Sequence, residues 1–231
     1  MRVIAIDAST EWCSVAASDG HACAVRELLA GQAHSERVLP MVREAVDELG
    51  WELGALDAIA FGAGPGSFTG VRIACGVAQG LAFGLARPVM PVGTLEALAE
   101  ESWRRRGASN VLACLDARMR EVYVAAYRRD GDAWREVAAP AVLAPADVRL
   151  PDANEAWTGA GGGFAAYPEL ASRLRLTAVH ADVRPSARSI AALALPRLVA
   201  GRGVRAADAL PLYVRHRVAL TTAERAAGAR L

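Results

Sequence analysis

The first half of the chain carries a hydrophobic pattern that predicts a group of strands followed by strands alternating with helices. Apolar runs separated by turn residues predict a three-stranded meander over residues 2–7, 13–17 and 22–28. Apolar residues three and four positions apart then predict helices. The helices cover residues 34–49, 71–85 and 94–106, and strands at 58–61 and 88–92 separate them. A mixed sheet covered by helices follows from this order.

Two residues refine these helix predictions. Pro40 lies inside the first helical pattern, so we expect either a kink at that point or a helix that starts near it. Thr94 stands just before the third pattern and is the expected N-cap of that helix.

The second half repeats the beginning of the first in shortened form. Strands are predicted over residues 111–115, 121–127 and 133–137, but only residues 145–150 stand where the first half has a long helix. A glycine-rich turn at 157–163, a helix at 164–175 and a helix at 186–200 follow. The turn-forming stretch 104–110 divides the chain into lobes 1–106 and 107–231, with the helix at 186–201 packing back at their seam. The polar end after residue 215 is expected to fray.

A glycine-rich stretch, residues 64–73 (Gly-Pro-Gly-Ser-Phe-Thr-Gly-Val-Arg-Ile), joins a predicted strand to a predicted helix. Anions often bind at such junctions, because free N–H groups collect where a helix starts. A Walker A loop is excluded, since it needs a lysine and all 26 basic residues here are arginine. The dinucleotide motif G-x-G-x-x-G fails as well, because Thr69 stands where its third glycine is needed. We therefore interpret the stretch as a tight turn that launches a helix.

The helix after this turn has glycine at every fourth position, at Gly76, Gly80 and Gly84. Each glycine inside a helix costs about 1 kcal/mol relative to alanine, so a compensating contact is expected. Glycines four apart form a smooth ridge that another backbone can approach closely. The pattern leaves two partners open, the protein's own sheet or a helix of another subunit.

Composition narrows the class of protein. At 231 residues and a net charge of +1, the chain can form one domain or two lobes, and nothing demands nucleic acid or a membrane. Its four cysteines lack C-x-x-C pairing, which indicates buried thiols in a reducing compartment. The apolar N-terminal run is too short for a signal peptide, and no run of about 20 apolar residues could span a membrane. We expect a cytoplasmic protein.

The residue inventory does not supply a complete active site. Histidines at H-x-x-x-H or H-E-x-x-H spacing, as in many metal sites, are absent from the sequence. Ser67 directly follows Gly66, which breaks the register of the G-x-S-x-G nucleophile motif. Asp7 and Asp116 end strands in the two lobes, but Asp116 lacks the following glycine that would let a phosphate approach. We expect no catalytic and no metal-binding residues.

Six stretches of the chain together resemble the TsaB (YeaZ) family. They are residues 5–10 (Ala-Ile-Asp-Ala-Ser-Thr), 34–40, 64–73, 78–82, 116–123 (Asp-Ala-Arg-Met-Arg-Glu-Val-Tyr) and 211–215 (Pro-Leu-Tyr-Val-Arg). The resemblance extends from residue 1 to about residue 219, and the 64–73 motif is specific to this family and its catalytic relatives. It implies an α/β fold of the actin-like ATPase (ASKHA, RNase H-like) class, with two lobes and a reduced second lobe.

The resemblance also implies a role in forming threonylcarbamoyladenosine in bacterial tRNA. The catalytic sibling, TsaD, transfers the threonylcarbamoyl group to adenosine 37 of tRNAs that read codons starting with A, and it holds its metal through H-x-x-x-H. Because that motif is absent here, the resemblance implies a non-catalytic subunit and not a protease. It further implies a TsaE-type ATPase as a second partner, tRNA held through the complex, and a homodimer when the sibling is missing. ATP and metal are expected in the partner subunits.

In the family, two helices of each subunit pair at the interface with the sibling. Carried over to this chain, the first helix would contribute His34, Val38, Met41, Val42 and Ala45. The second would contribute Val71, Arg72, Cys75, Gly76, Gln79, Gly80 and Phe83.

Two further hypotheses concern ligands. The alternative function is that of a nucleotide-binding ATPase or phosphotransferase of the actin-like superfamily. A vestigial nucleotide site would use Asp7, Ser9, Thr10, Ser67, Thr69, Gly70, Asp116 and Gly161. Direct tRNA contact would use arginines gathered on one side, namely Arg104, Arg105, Arg106, Arg118, Arg120, Arg128 and Arg129. Arginines that are merely solvated and scattered are the competing interpretation.

Overall fold

The computed structural model describes residues 1–215, which form two five-stranded sheets with helices around them. The polar end predicted to fray, together with His216, lies outside the described residues.

The first sheet is built by the first lobe. Its strands are β1 (Val3–Asp7), β2 (Trp12–Ser18), β3 (Cys23–Leu29), β4 (Ala58–Gly64) and β5 (Val89–Gly93). The spatial order is β3-β2-β1-β4-β5, with the meander antiparallel and β1, β4 and β5 parallel. Helices α1 (His34–Glu48), α2 (Phe68–Leu85) and α3 (Thr94–Arg106) connect the later strands. The continuous apolar run of β1 follows from burial on both faces of the sheet.

The second sheet repeats this topology. Its strands are β6 (Asn110–Asp116), β7 (Val122–Asp130), β8 (Ala133–Leu143), β9 (Thr158–Ala160) and β10 (Ala178–His180). Their order, β10-β9-β6-β7-β8, is the order of the first sheet read from its other edge. This sheet also combines an antiparallel meander with three parallel strands. Where α1 stands in the first lobe, the second has only a 3-10 turn, Pro145–Asp147. The predicted truncated repeat is therefore present.

The remaining helices are α4 (Gly163–Ala166), α5 (Glu169–Arg173) and α6 (Ala187–Val199). Helices α1 and α2 cover one face of the first sheet. Helix α6 returns to the opposite face, where Ile190, Ala194 and Leu198 join a core with residues of β1, β4 and β5. Helix α3 contacts α6 as well as β6 and β7, so it links the two sheets.

Several local predictions are corrected. Helix α1 begins at His34 with Pro40 inside it, so it does not start near the proline. Thr94 is the first residue of α3 and not its N-cap. Its hydroxyl accepts a hydrogen bond from the N–H of Gly64 instead of capping the helix. The helix predicted at 164–175 is two short helices separated near Pro168, which cannot donate a backbone hydrogen bond. The turn predicted at 157–163 contains strand β9, and β10 was not predicted.

Candidate functional site

The glycine-rich loop between β4 and α2 packs directly against the end of β1. A Cβ atom on Gly70 would lie 1.8 Å from the carbonyl oxygen of Ala8, and one on Gly66 would lie 2.4 Å from that of Ser9. The N–H of Ser67 donates to the same Ser9 carbonyl at 2.7 Å, and the Ser67 hydroxyl accepts from the N–H of Gly70 as the N-cap of α2. These glycines allow close backbone contact, and the loop fixes where α2 starts.

Helix α2 has two unlike faces. Ala74, Ala78 and Ala82 are buried against the first sheet. On the other side, a Cβ atom added to Gly76, Gly80 or Gly84 would meet nothing within 4 Å. The chain's own sheet is therefore not what these glycines approach. Within residues 1–215, this ridge has no partner, so of the two partners left open by the sequence the structure excludes the protein's own sheet.

Exposed apolar side chains accompany the glycines. Phe83, on α2, is 84% exposed, and Leu39, on the neighbouring helix α1, is 50% exposed. Large side chains of this kind on the surface beside a groove are typical of interaction sites. We call Arg72, Gly76, Gly80, Phe83 and Gly84 the glycine face of α2.

The interface residues inferred from the sequence divide into two groups. Arg72, Gly76, Gly80 and Phe83 are exposed, and Gln79 is half-buried, with its amide donating to the carbonyl of Ala209 at 2.9 Å. The other seven are buried inside the same chain: His34, Val38, Met41, Val42, Ala45, Val71 and Cys75. That part of the prediction is corrected, because a side chain packed in the protein's own core cannot form a surface. The apolar stripe of α1 faces the first sheet.

By length and composition alone, α2 could cross a membrane, with 33% of its residues buried. Its alanine face packs on β4 and β1, however, and apolar core helices of soluble proteins have the same composition. Helix α2 is therefore interpreted as a core helix with one uncovered face.

A cleft of about 940 Å³ separates the lobes beside the start of α2. The first lobe contributes Ser9, Thr10, Ser67 and Thr69, and the second contributes Asp116, Arg118, Gly162 and Arg184. Five of the residues proposed for a vestigial nucleotide site thus line one cleft. Asp7, Gly70 and Gly161 do not line it, since all three are buried.

Asp7 is enclosed at the end of β1. Its side chain is 1% exposed, and burial raises the pKa of this carboxyl to about 6 despite hydrogen bonds from the Ser9 hydroxyl and N–H. Its Oδ1 atom has no hydrogen-bond partner within the described residues and faces Gly62, where a Cβ atom would lie 2.2 Å away. The Asp7 carboxyl therefore lies behind Ser9 and not in the cleft wall.

Two other polar groups of the cleft have local partners. The Thr10 hydroxyl accepts from the N–H of Trp12, and Asp116 binds Arg118 at 3.1 Å. Within residues 1–215, no three His, Cys, Asp or Glu side chains are grouped as metal ligands. The structure thus brings part of the predicted nucleotide site together at the cleft, and the nucleotide hypothesis itself stays a prediction.

The arginines proposed for tRNA contact are mostly paired with carboxylates. Arg104 and Arg105 bind Glu100 and Glu101 one helical turn away, and Arg106 binds Asp182. Arg128 pairs with Glu155 and Arg129 with Glu100. Arg118 pairs with Asp116, so six of the seven arginines are paired within the chain, and the structure favours the interpretation without tRNA contact for these six.

Comparisons with known proteins agree on one group of relatives. Residues 27–220 match the family described as TsaD, tRNA N6-adenosine threonylcarbamoyltransferase. The chain is 42% identical to the tRNA threonylcarbamoyladenosine biosynthesis protein TsaB of Escherichia coli strain K12, over 95% of this chain and 96% of that protein. Its Haemophilus influenzae counterpart is 37% identical over 94% and 95%. The solved structure of YeaZ from Pseudomonas aeruginosa superposes with a TM-score of 0.86 at 44% identity, covering 92% of this chain and 99% of that one.

Proposed function

Because this chain belongs to the TsaB (YeaZ) family, we propose that it acts in the biosynthesis of threonylcarbamoyladenosine in tRNA as a binding subunit for a TsaD-type catalytic relative. The same relationships confirm the actin-like two-lobed fold predicted from the sequence. In this proposal the chain performs no chemistry of its own and supports the transferase by binding it.

The open glycine face of α2 is the observation that supports this proposal. Three helix glycines with nothing within 4 Å lower the intrinsic stability of the helix without a compensating contact among residues 1–215. Contact with a partner helix would offset this loss of stability, since glycines let two helix backbones approach closely and increase the dispersion attraction between them. Phe83 and Leu39 would add buried apolar area on either side of that contact.

A relative with the same fold would suit this surface. A TsaD-type subunit would present equivalent helices, so four helices, α1 and α2 with their counterparts, would pack together. A second copy of this chain could occupy the same face when the transferase is absent. We also propose a TsaE-type ATPase as a further member of the assembly, with ATP and metal held by the partner subunits and tRNA held by the complex. All four cysteines are free, which supports a cytoplasmic location.

Reconstitution tests the proposed function. The TsaD and TsaE homologues of the same genome, an adenylate donor and tRNA should form threonylcarbamoyladenosine only when this chain is added. Gly80→Leu, which places a bulky side chain on the glycine face, should fail to support product formation. Gly54→Leu is the matched control, because Gly54 is also an exposed glycine with open space but lies outside α2. Equal product without the chain would refute the proposal.

A further inference from the structure

The last described residues cross from the first lobe to the second. The N–H of Leu212 donates to the carbonyl of Ala63, near the end of β4, at 2.7 Å. Three residues later, Arg215 donates to the carbonyl of Ala117 at 2.9 Å and binds Glu121 at 2.7 Å, both in the β6–β7 turn. Residues 212–215, called the strap below, therefore hold both lobes at once.

On the first lobe, the strap ends at the glycine face of α2. The Tyr213 hydroxyl accepts a hydrogen bond from Nε of Arg72 at 2.9 Å. The Arg72 guanidinium also lies 3.7 Å from the centre of the Phe68 ring and 5.6 Å from that of Tyr213. Arg72 is one turn before Gly76 on the same side of the helix. A partner that follows the glycine face towards the start of α2 would therefore meet the contact between Arg72 and Tyr213.

On the second lobe, the strap supports a turn in the left-handed region. Arg118, Met119 and Arg120 have φ angles of +60°, +53° and +61°. Such residues are costly and persist only where neighbouring groups hold them in place. Arg215 provides one of these stabilising contacts through its hydrogen bond to the carbonyl of Ala117. Its side chain also lines the interlobe cleft together with Ala117 and Arg118. A movement of the strap would therefore move a wall of the cleft.

The two attachments differ in exposure. The Arg215 side chain is only 11% exposed, whereas Tyr213 is 49% exposed. A small cavity of about 60 Å³ lies under the strap, between Phe68 and Val71 on one lobe and Tyr123 on the other. The Tyr213 contact is therefore the one that an incoming molecule can reach.

We propose that the strap is a releasable tie between the lobes, which couples the glycine face of α2 to the width of the interlobe cleft. A partner that takes over Arg72 competes with Tyr213 and leaves the first-lobe end of the strap held by the hydrogen bond between Leu212 and Ala63, so that this end can detach and the lobes can separate. The coupling to a partner rests on the proposed function, but the tie itself does not.

Distance measurement in the isolated full chain tests the tie. Gln32 and Glu169 are exposed residues of opposite lobes, so Gln32→Cys and Glu169→Cys in a Cys23→Ser background give two sites for spin labels. Electron spin resonance should show one narrow distance distribution for the native strap. Arg215→Gln should broaden it and shift it to longer distances, and Tyr213→Phe should do so to a smaller extent. Arg205→Gln is the control, since Arg205 pairs with nearby Asp208 and with no other carboxylate in residues 1–215.

Circular dichroism of each variant shows whether it is folded, so that only folded variants are compared. An unchanged distribution in both folded strap variants would overturn the tie.

A second arm tests the coupling with the TsaD homologue of the same genome. Because coupling between two sites is reciprocal, Arg215→Gln should change the affinity for that protein although Arg215 lies outside the glycine face. The labelled native chain should also shift to longer distances when the homologue binds. Binding with no change in distance would overturn the coupling alone. No binding by the native chain would contradict the proposed function and leave the measurement on the isolated chain to decide the tie.

Discussion

Glycine has opposite roles at neighbouring positions of one segment of this chain. At Gly66 and Gly70 the missing side chain lets the loop touch the backbone of Ala8 and Ser9. At Gly76 and Gly80 it leaves open surface. The sequence predicts both sets as unusual, but it cannot separate them, because spacing alone does not reveal whether backbone or solvent lies opposite a residue.

Alanine substitution distinguishes these two roles. Gly70→Ala should lower the free energy of unfolding by about 3 kcal/mol or more, because its Cβ would overlap the Ala8 carbonyl. Gly76→Ala, the matched control, should raise it by about 1 kcal/mol, since alanine favours the helix and has room. Urea unfolding followed by circular dichroism measures both values. Equal effects of the two substitutions would contradict the assigned environments.

Asp7 makes stability depend on pH. Its pKa is raised by burial from 3.8 to about 6 in the folded chain, so the folded state holds its proton more firmly than the unfolded state. As pH rises from about 4 to about 6, the unfolded carboxyl ionises first, and the free energy of unfolding falls by about 3 kcal/mol in total. Below this range the carboxyl is protonated in both states, and above it the loss is constant.

Asp7→Asn should remove this decrease between pH 4 and 6, as measured by urea unfolding across the range. Asp19→Asn is the control. The backbone N–H of Ala22 lowers the pKa of Asp19, so its contribution is present at neutral pH and is lost only as pH falls below about 4. A decrease of the same size in the Asp7→Asn variant would show that another group causes it.

At the scale of elements, the position of α2 and its glycine ridge could be predicted from the sequence, but not which helix faces were free. The stripe of Val38, Val42 and Ala45 on α1 was assigned to a partner, and it lies in the protein's own core. Periodicity identifies an apolar face and does not identify what covers it. Leu39, next to Val38 in sequence, is half exposed.

Phe83 tests the energetic importance of the glycine face. Since its side chain is 84% exposed, Phe83→Ala should leave the unfolding free energy of the isolated chain nearly unchanged. Affinity for the TsaD homologue should fall about tenfold or more, as is usual for an aromatic residue at the centre of an interface. Calorimetric titration measures this affinity. Val199→Ala, at another exposed apolar residue, serves as the control and should bind normally.

At the scale of the whole molecule, the repeated topology of the two sheets was predictable because the second meander repeats the turn pattern of the first. The side-chain contacts between the lobes could not be predicted from the sequence, since they join residues far apart along the chain. Glu100 of α3 is one of them: it is 4% exposed, binds Arg129 of β7 at 2.7 Å and accepts from the Trp134 indole at 2.8 Å. The Arg129 guanidinium also lies 4.0 Å from the Trp103 ring centre.

Removing this arginine should destabilise the entire chain. Arg129→Ala removes the cation nearest to the buried Glu100 carboxylate and leaves it only the Trp134 indole and the more distant Arg104, so we expect a loss of about 3 kcal/mol in the free energy of unfolding. Arg43→Ala, which removes an exposed pair with Asp47 on α1, should change it by less than about 0.5 kcal/mol. Thermal and urea unfolding of both variants measure the difference. Similar small losses would show that the two lobes do not depend on this contact.

The role assigned to this protein depends on the glycine face being a binding surface for another molecule. Sedimentation velocity of this chain mixed with the TsaD homologue of the same genome tests that claim most directly. The native chain and Gly54→Leu should form a complex, and Gly80→Leu should sediment as separate proteins while keeping its circular dichroism spectrum. A complex of undiminished affinity with Gly80→Leu would contradict the account.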